Sequence, residues 1–189
     1  MLNALRPILL PAMLLLVASG CGYNAIQTKD EAVNSALSQV KVRLQRRADL
    51  IPNLVETVKG FAAHETEVFA SVSEARSRLA GAVETGSLAE MAEANSALNA
   101  PLGRLLAIVE AYPDLKANQN FLQLQDQLEG TENRIAVARQ DYNRIVEDYN
   151  GYIRRFPYNL TAKMFGQGTP REYFDLTDPA AAEAPAVKF

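Results

Sequence analysis

Between Phe121 and Phe156, apolar side chains recur every seven residues in two interleaved series. Phe121, Leu128, Ile135, Tyr142, Tyr149 and Phe156 form one; Leu124, Thr131, Ala138, Ile145 and Tyr152 form the other, each three residues behind. Offsets of three and seven place both series on one face of a helix, and a 3.5-residue repeat marks a helix packed along its length against partners. Thr131 is the single polar member, and the stretch contains no proline. At a rise of about 1.5 Å per residue the pattern predicts a rod of roughly 54 Å. A rod with one apolar stripe cannot cover it alone, so the rest of the chain must supply partner helices. Arg139 and Asn143 fall off the stripe and are expected at the surface.

The same spacing appears upstream. Over about 24–50, Ile26, Val33 and Val40 lead to Arg47, while Asp30 precedes Leu37, Leu44 and Ile51, so Asp30 and Arg47 interrupt the stripe near its two ends. Ile51-Pro52 reads as a turn, because proline lacks an amide donor, disfavours helix before it and suits the first turn of a new helix. A second helix is expected over about 52–83, with Leu54, Val58, Phe61, Val68, Val72, Ala75 and Leu79 inward. A third covers about 88–112, with Met91, Leu98, Leu102, Leu105, Val109 and Tyr112 inward and a kink or irregular first half around Pro101. The fourth covers about 116–156, with Asp114 as its N-cap. After Pro157, residues 158–189 read as an extended, partly disordered tail that orders only where Met164, Phe165, Tyr173 and Phe174 pack. The fold class is all-α: an antiparallel up-down four-helix bundle over 21–157 with that tail attached.

Residues 1–20 read as an export signal, with Arg6, an apolar run from Pro7 to Ala18, and small residues before Cys21. The run is shorter than the roughly 20 residues a bilayer span needs. Ala18-Ser19-Gly20-Cys21 resembles a bacterial lipobox, in which cleavage precedes the cysteine and acyl lipid is joined to its sulfur. That makes Cys21 the expected lipid attachment site; a plain signal peptide with an incidental cysteine and an uncleaved anchor are the other readings. A lipid-anchored chain would sit at the cell envelope facing the periplasm. Gly22, where an Asp would resemble an inner-membrane retention signal, favours the outer membrane.

The chain has 189 residues, enough for one domain with a real core. Its formal charge of −3, without a basic block, leaves no electrostatic footprint for nucleic acid. The single histidine, His64, cannot build the paired Glu-x-x-His metal site of helix bundles, and Phe61 stands where the Glu would be needed. His64 is also the sole candidate base for a nucleophilic triad, and no glycine-rich phosphate loop exists. No catalytic residue, metal site or cofactor is expected, and the chain is read as not an enzyme.

Three blocks carry a resemblance: Arg46–Gly60 (RRADLIPNLVETVKG), Glu110–Asn118 (EAYPDLKAN) and Leu128–Ile135 (LEGTENRI), with the closing Ala184–Phe189 (APAVKF). Together they resemble the LemA family, and Pro101 departs from the helix former usual there. The resemblance implies a membrane-attached protein whose exported part is an antiparallel four-helix bundle, and it implies no established activity. In such a bundle, Arg46, Arg47, Asp49 and Asn53 would converge with Asp114, Lys116 and Asn118 on one membrane-distal tip. Polar residues around turns fit a docking surface for another, unidentified envelope protein. The competing structural reading has Asp49 capping the second helix and the arginines at the negative end of the first. Two alternatives stand beside the scaffold: a membrane-shaping protein acting by self-association, which calls for a basic amphipathic surface, and an enzyme of unrecognised type. The sequence sets no oligomeric state.

Overall fold

The computed structural model describes the backbone of residues 6–174 and the side chains of 22–174, and every regular element among them is a helix. In order these are α1 (Arg6–Lys59), α2 (Thr66–Thr85), α3 (Leu88–Ala97), α4 (Asn99–Val109), α5 (Pro113–Lys116), α6 (Gln119–Arg154) and α7 (Tyr158–Met164). The Cys21 side chain and the tail from residue 175 lie outside the described residues.

The 36-residue α6 follows its seven-residue pattern through Phe121, Leu128, Thr131, Ile135 and Tyr142, all buried. Tyr149 keeps the first series buried while Val146, Asn150 and Ile153 join it; of the second series only Thr131 is buried, and Leu124, Ala138, Ile145 and Tyr152 are half-buried. A straight helix drifts by about 20° per heptad against a 3.5 repeat, and the accumulated drift carries the seam onto the next row. Phe156, expected to end the stripe, lies past the helix and is 79% exposed. Arg139 and Asn143 are half-buried rather than fully exposed, and the Arg139 guanidinium lies 4.8 Å from the Phe174 ring centroid.

The expected turn at Pro52 does not occur. Helix α1 runs on to Lys59 and buries Ile51, Leu54, Val55 and Val58 along with Val40 and Leu44. Phe61, expected inward, falls in the turn beyond that end and is exposed. Pro52 has no N–H to give the carbonyl four residues back, which belongs to Ala48. Arg76 of α2 fills that vacancy, its Nε donating to Ala48 O at 3.2 Å. An orphaned carbonyl met from a neighbouring helix lets the helix continue through a proline.

The other departures are also local. Gly86, at φ 80°, closes α2 with its N–H on Ala82 O, and Ser87 then caps α3 by accepting from Glu90 N at 3.3 Å. The single helix expected over 88–112 is split at Leu98, so that Pro101 falls in the first turn of α4, where an N–H would have no partner within its own helix. Asn118, not Asp114, caps α6: its Oδ1 accepts from Phe121 N at 3.1 Å.

The chain forms two compact units. One combines residues up to Leu37 with Asp141–Tyr173; the other combines Ser38–Gln140 with the segment from Phe174. The second unit holds α2 to α5 around a core that includes Leu54, Leu79, Met91, Leu98, Leu105 and Leu115. In the first unit the stretch after α7 is tied down. Asn150 donates to Arg171 O at 2.9 Å and accepts from Arg171 N at 2.8 Å; the Tyr142 hydroxyl donates to Glu172 O at 2.9 Å. Arg171 grips Asp30 Oδ1 through Nε and Nη2 at 3.0 and 2.7 Å, and that bond holds its pKa above the ordinary arginine value. Burial raises the Tyr142 and Tyr149 phenols. The tail is therefore not extended from its start: α7 forms, and 167–172 is strapped by polar bonds. Of the four side chains expected to pack it, only Phe174 is buried; Met164, Phe165 and Tyr173 are exposed.

Arg76→Ala should cost about 1–3 kcal/mol, the range for leaving a buried carbonyl unpaired. In a Pro52→Ala background, where the introduced alanine can donate its own N–H to Ala48 O, the same change should cost under about 1 kcal/mol. Chemical unfolding of the parent chain, the two single variants and the double variant checks this. Equal losses in both backgrounds would mean Arg76 does not serve that carbonyl.

Candidate functional site

Arg46 and Arg47 are adjacent in sequence but, at about 100° per residue, occupy different faces of α1. Arg47 shares the inner face with Leu44, Ala48 and Ile51 and is 4% exposed. Its Nη1 donates to Asn95 Oδ1, its Nη2 donates to Asn99 Oδ1 at 2.8 Å, and Nη1 stands 2.9 Å from Glu132 Oε2. One guanidinium thus joins α1 to α3, α4 and α6, a use for which the planar fork of arginine is suited. Burial holds its pKa below the ordinary arginine value, opposed only in part by the charge of Glu132. This arginine is a structural cation.

Arg46 points the other way and is exposed, its Nη2 reaching Gln127 Oε1 at 3.4 Å. It opens on a shallow pocket of about 220 Å³ lined also by Asp126, Gln127, Gly130, Thr131 and Arg134. Thr131 turns its hydroxyl to Gln127 O at 2.7 Å and so is satisfied within its helix. Gly130 stands inside α6, where glycine costs about 1 kcal/mol relative to alanine, and a Cβ there would meet nothing within 4 Å. Two guanidinium groups against one carboxylate give the pocket a cationic excess suited to a carboxylate-bearing ligand.

The other expected site residues divide. Asp49 and Asn53 share an exposed face of α1 with Arg46; Asp49 accepts from Gln45 Nε2 at 2.8 Å, and the Asn53 carbonyl accepts from Thr57 Oγ1 at 2.8 Å. With α1 unbroken, Asp49 caps nothing, and the arginines stand inside a helix rather than at its negative end. Asp114 is exposed in the first turn of α5, Lys116 pairs with Glu110 at 2.6 Å, and Asn118 is occupied as a cap. The bonds of Arg46 and Arg47 run to Gln127 and Glu132, more than two turns into α6, and not to 114–118. The expected convergence depends on a turn at Pro52, which would put Arg46–Asn53 at a helix end. The residues that reasoning misses are Asn95, Asn99, Gln127, Gly130, Glu132 and Arg134. Three of them lie in the block Leu128–Ile135, but a hydrophobic pattern ranks only the apolar members of that block.

His64 lies in the turn before α2 and is exposed. Among the described residues no group of three His, Cys, Asp or Glu side chains is placed to hold a metal ion. No helix among them is long and apolar enough to cross a membrane.

A model of the LemA family matches residues 36–189, which includes both arginines, the pocket and α7. Magnetosome protein MamQ 2 of Paramagnetospirillum magneticum (strain ATCC 700264 / AMB-1) is 29% identical, over 87% of this chain and 68% of its own length. Magnetosome protein MamQ of Magnetospirillum gryphiswaldense is 28% identical over 76% of this chain and 61% of its own length. Protein LemA of Metamycoplasma hominis is 26% identical over 74% of this chain and 63% of its own length.

Arg47→Ala should cost about 3–5 kcal/mol, because it leaves buried polar partners unpaired. Arg47→Met, which fills the space, should cost less. Glu132 buries Oε2 against Arg47 while its side chain as a whole is 45% exposed, so Glu132→Gln should cost less than Arg47→Ala. Thermal unfolding gives the ranking, and a Glu132 loss as large as that of Arg47→Ala would shift the weight from the asparagines to the ion pair.

Proposed function

The chain belongs to the LemA family, and from that premise we propose that it is a lipid-anchored, non-enzymatic scaffold of the bacterial cell envelope that holds another envelope protein at the Arg46–Arg134 pocket. In this reading Cys21 carries the acyl lipid, the helices assemble as an antiparallel bundle facing the periplasm, and the outer membrane is the favoured site.

The observation that carries the reading is the contrast between two neighbouring arginines. Arg47 spends both terminal nitrogens on joining helices and leaves only its buried Nε without a partner, so packing accounts for its place. Arg46, exposed and loosely held at 3.4 Å, opens with Arg134 on a polar pocket that helps no core. A groove with the Arg46 and Arg134 guanidinium groups offers bidentate recognition of a carboxylate on a partner surface. Lys116 and Asn118 already have partners and drop out of the docking surface.

A photo-crosslinking residue at position 127, introduced in the full chain in cells, should capture one discrete partner. Arg46→Glu with Arg134→Glu should abolish that capture while the melting temperature stays unchanged. Gly130→Ala should separate stability from binding: it should stabilise the helix by about 0.5–1 kcal/mol, yet place a methyl group in the groove and weaken capture. Unchanged capture in the double variant would place the partner elsewhere. The anchor is checked separately, since Cys21→Ser should abolish lipid labelling and leave the helices folded.

A further inference from the structure

Helix α7 has two dissimilar faces. Thr161 and Ala162 are buried at 6% and 0%, whereas Leu160 and Met164, one turn apart, are 58% and 68% exposed. Phe156 and Phe165, at either end, are 79% and 53% exposed. Four large apolar side chains thus stand in water within ten residues, where single exposed ones are ordinary.

Along this stretch of sequence the charge is one-sided, bounded by Asp148 and Glu172. From Tyr149 to Arg171 the chain carries Arg154, Arg155, Lys163 and Arg171 and no acidic residue, although its net charge is −3. Arg171 is engaged with Asp30, while Arg154, Arg155 and Lys163 are exposed beside the apolar side chains. Apolar groups rimmed by cations are the composition of a surface that lies in the headgroup region of an anionic bilayer.

The inner face of α7 fixes where the patch stands. Tyr158 packs against Gly22 so closely that a Cβ on that glycine would come within 2.8 Å of the Tyr158 ring. The same ring stacks on Tyr152 at 4.3 Å between centroids, and Tyr23 packs on Phe165 at 4.6 Å. Gly22 and Tyr23 immediately follow Cys21 and the apolar run Pro7–Ala18. Any membrane that receives that run or a lipid on Cys21 is therefore within reach of α7.

We propose that Phe156, Leu160, Met164 and Phe165, with Arg154, Arg155 and Lys163, form a membrane-interface surface that seats α7 on anionic lipid headgroups. The inference rests on the membrane attachment proposed above and adds a second contact, made by the protein rather than by the anchor. Two weak attachments, one apolar and one polybasic, give stable membrane binding where one alone is marginal.

The chain contains no tryptophan, so one introduced residue reports on one place. Leu160→Trp and Met164→Trp would be made in the full chain, with Val137→Trp as a control at a position 57% exposed in the other unit. Each is reconstituted into phosphatidylcholine vesicles containing phosphatidylglycerol, with bromine on the acyl chains near the headgroup. The indoles of L160W and M164W should emit to the blue of that of V137W and lose about half their intensity to bromine, the depth expected of an interfacial helix. The V137W control should be unaffected by bromine. Adding Arg154→Glu with Arg155→Glu to L160W should restore most of its emission.

Three other outcomes overturn the proposal in different ways. If the chain floats with the vesicles but L160W is quenched no more than V137W, the surface is overturned and the anchor stands. If L160W shifts to the blue without quenching, and more so as protein density rises, a second copy covers the patch and the lipid assignment is overturned. If the chain fails to float with vesicles at all, the membrane attachment itself fails, and this surface with it.

Discussion

The carbonyl of Ala48 is the constraint on which the interior of the second unit turns. Pro52 withholds the amide that would have satisfied it, and burial withholds water. The carbonyl must therefore be met by another element, and Arg76 meets it. One residue earlier Arg47 reaches across to α3, α4 and α6. Apolar seams with a regular repeat resist sliding weakly, since a shift of one heptad restores much of the same contact. Polar bonds that would be broken by such a shift are directional and costly to leave unmade. Residues 47 and 48 thus tie α1 to four other helices in one register, at positions where the apolar stripe by itself would be indifferent.

The parts legible in the sequence are those governed by side-chain periodicity. The 36-residue α6 and the inward faces around Val40, Leu44, Val72, Leu79 and Leu105 follow from spacing alone. The parts not legible are those where a backbone group is satisfied from far away. Pro52 reads as a stop until Arg76 is known to sit beside Ala48, and no local rule supplies that partner. Asn118 and Asp114 are equivalent caps by composition; only the observed start of α6 at Gln119 decides between them. Phe156 continues a numerical repeat beyond the helix that gave the repeat its meaning.

The two polar interruptions of the α1 stripe, Asp30 and Arg47, read as fraying in the sequence and are instead connection points. Asp30 receives Arg171 and so anchors the strap after α7; Arg47 anchors the α3–α4 junction. Asn150 plays the same part on α6, buried among apolar neighbours but with both ends of its amide used on Arg171. A charged residue on an apolar face is informative because burying it alone would be so unfavourable. The candidate pocket is half legible for the complementary reason. Arg46 stands out in the sequence as a polar residue, but Gly130 and Arg134 gain their meaning only from the helix face opposite.

Net charge is an average, and here it conceals a local arrangement of one sign. An acidic chain is on average repelled by an anionic surface, yet the 23 residues from Tyr149 to Arg171 are purely basic among their charged members. Long-range repulsion from an acidic remainder is screened beyond roughly 8 Å at physiological salt, so at any charged surface the nearest charges would decide the interaction. The tight contact of Gly22 with Tyr158 gives those charges a fixed place relative to the start of α1's described side chains. A larger residue at position 22 would press on the Tyr158 ring, which would have to shift. Glycine at that position is thus explained by packing as well as by any sorting rule for the residue after a lipid-bearing cysteine. The two explanations separate experimentally, because packing disfavours alanine at position 22 while a rule directed at aspartate tolerates it.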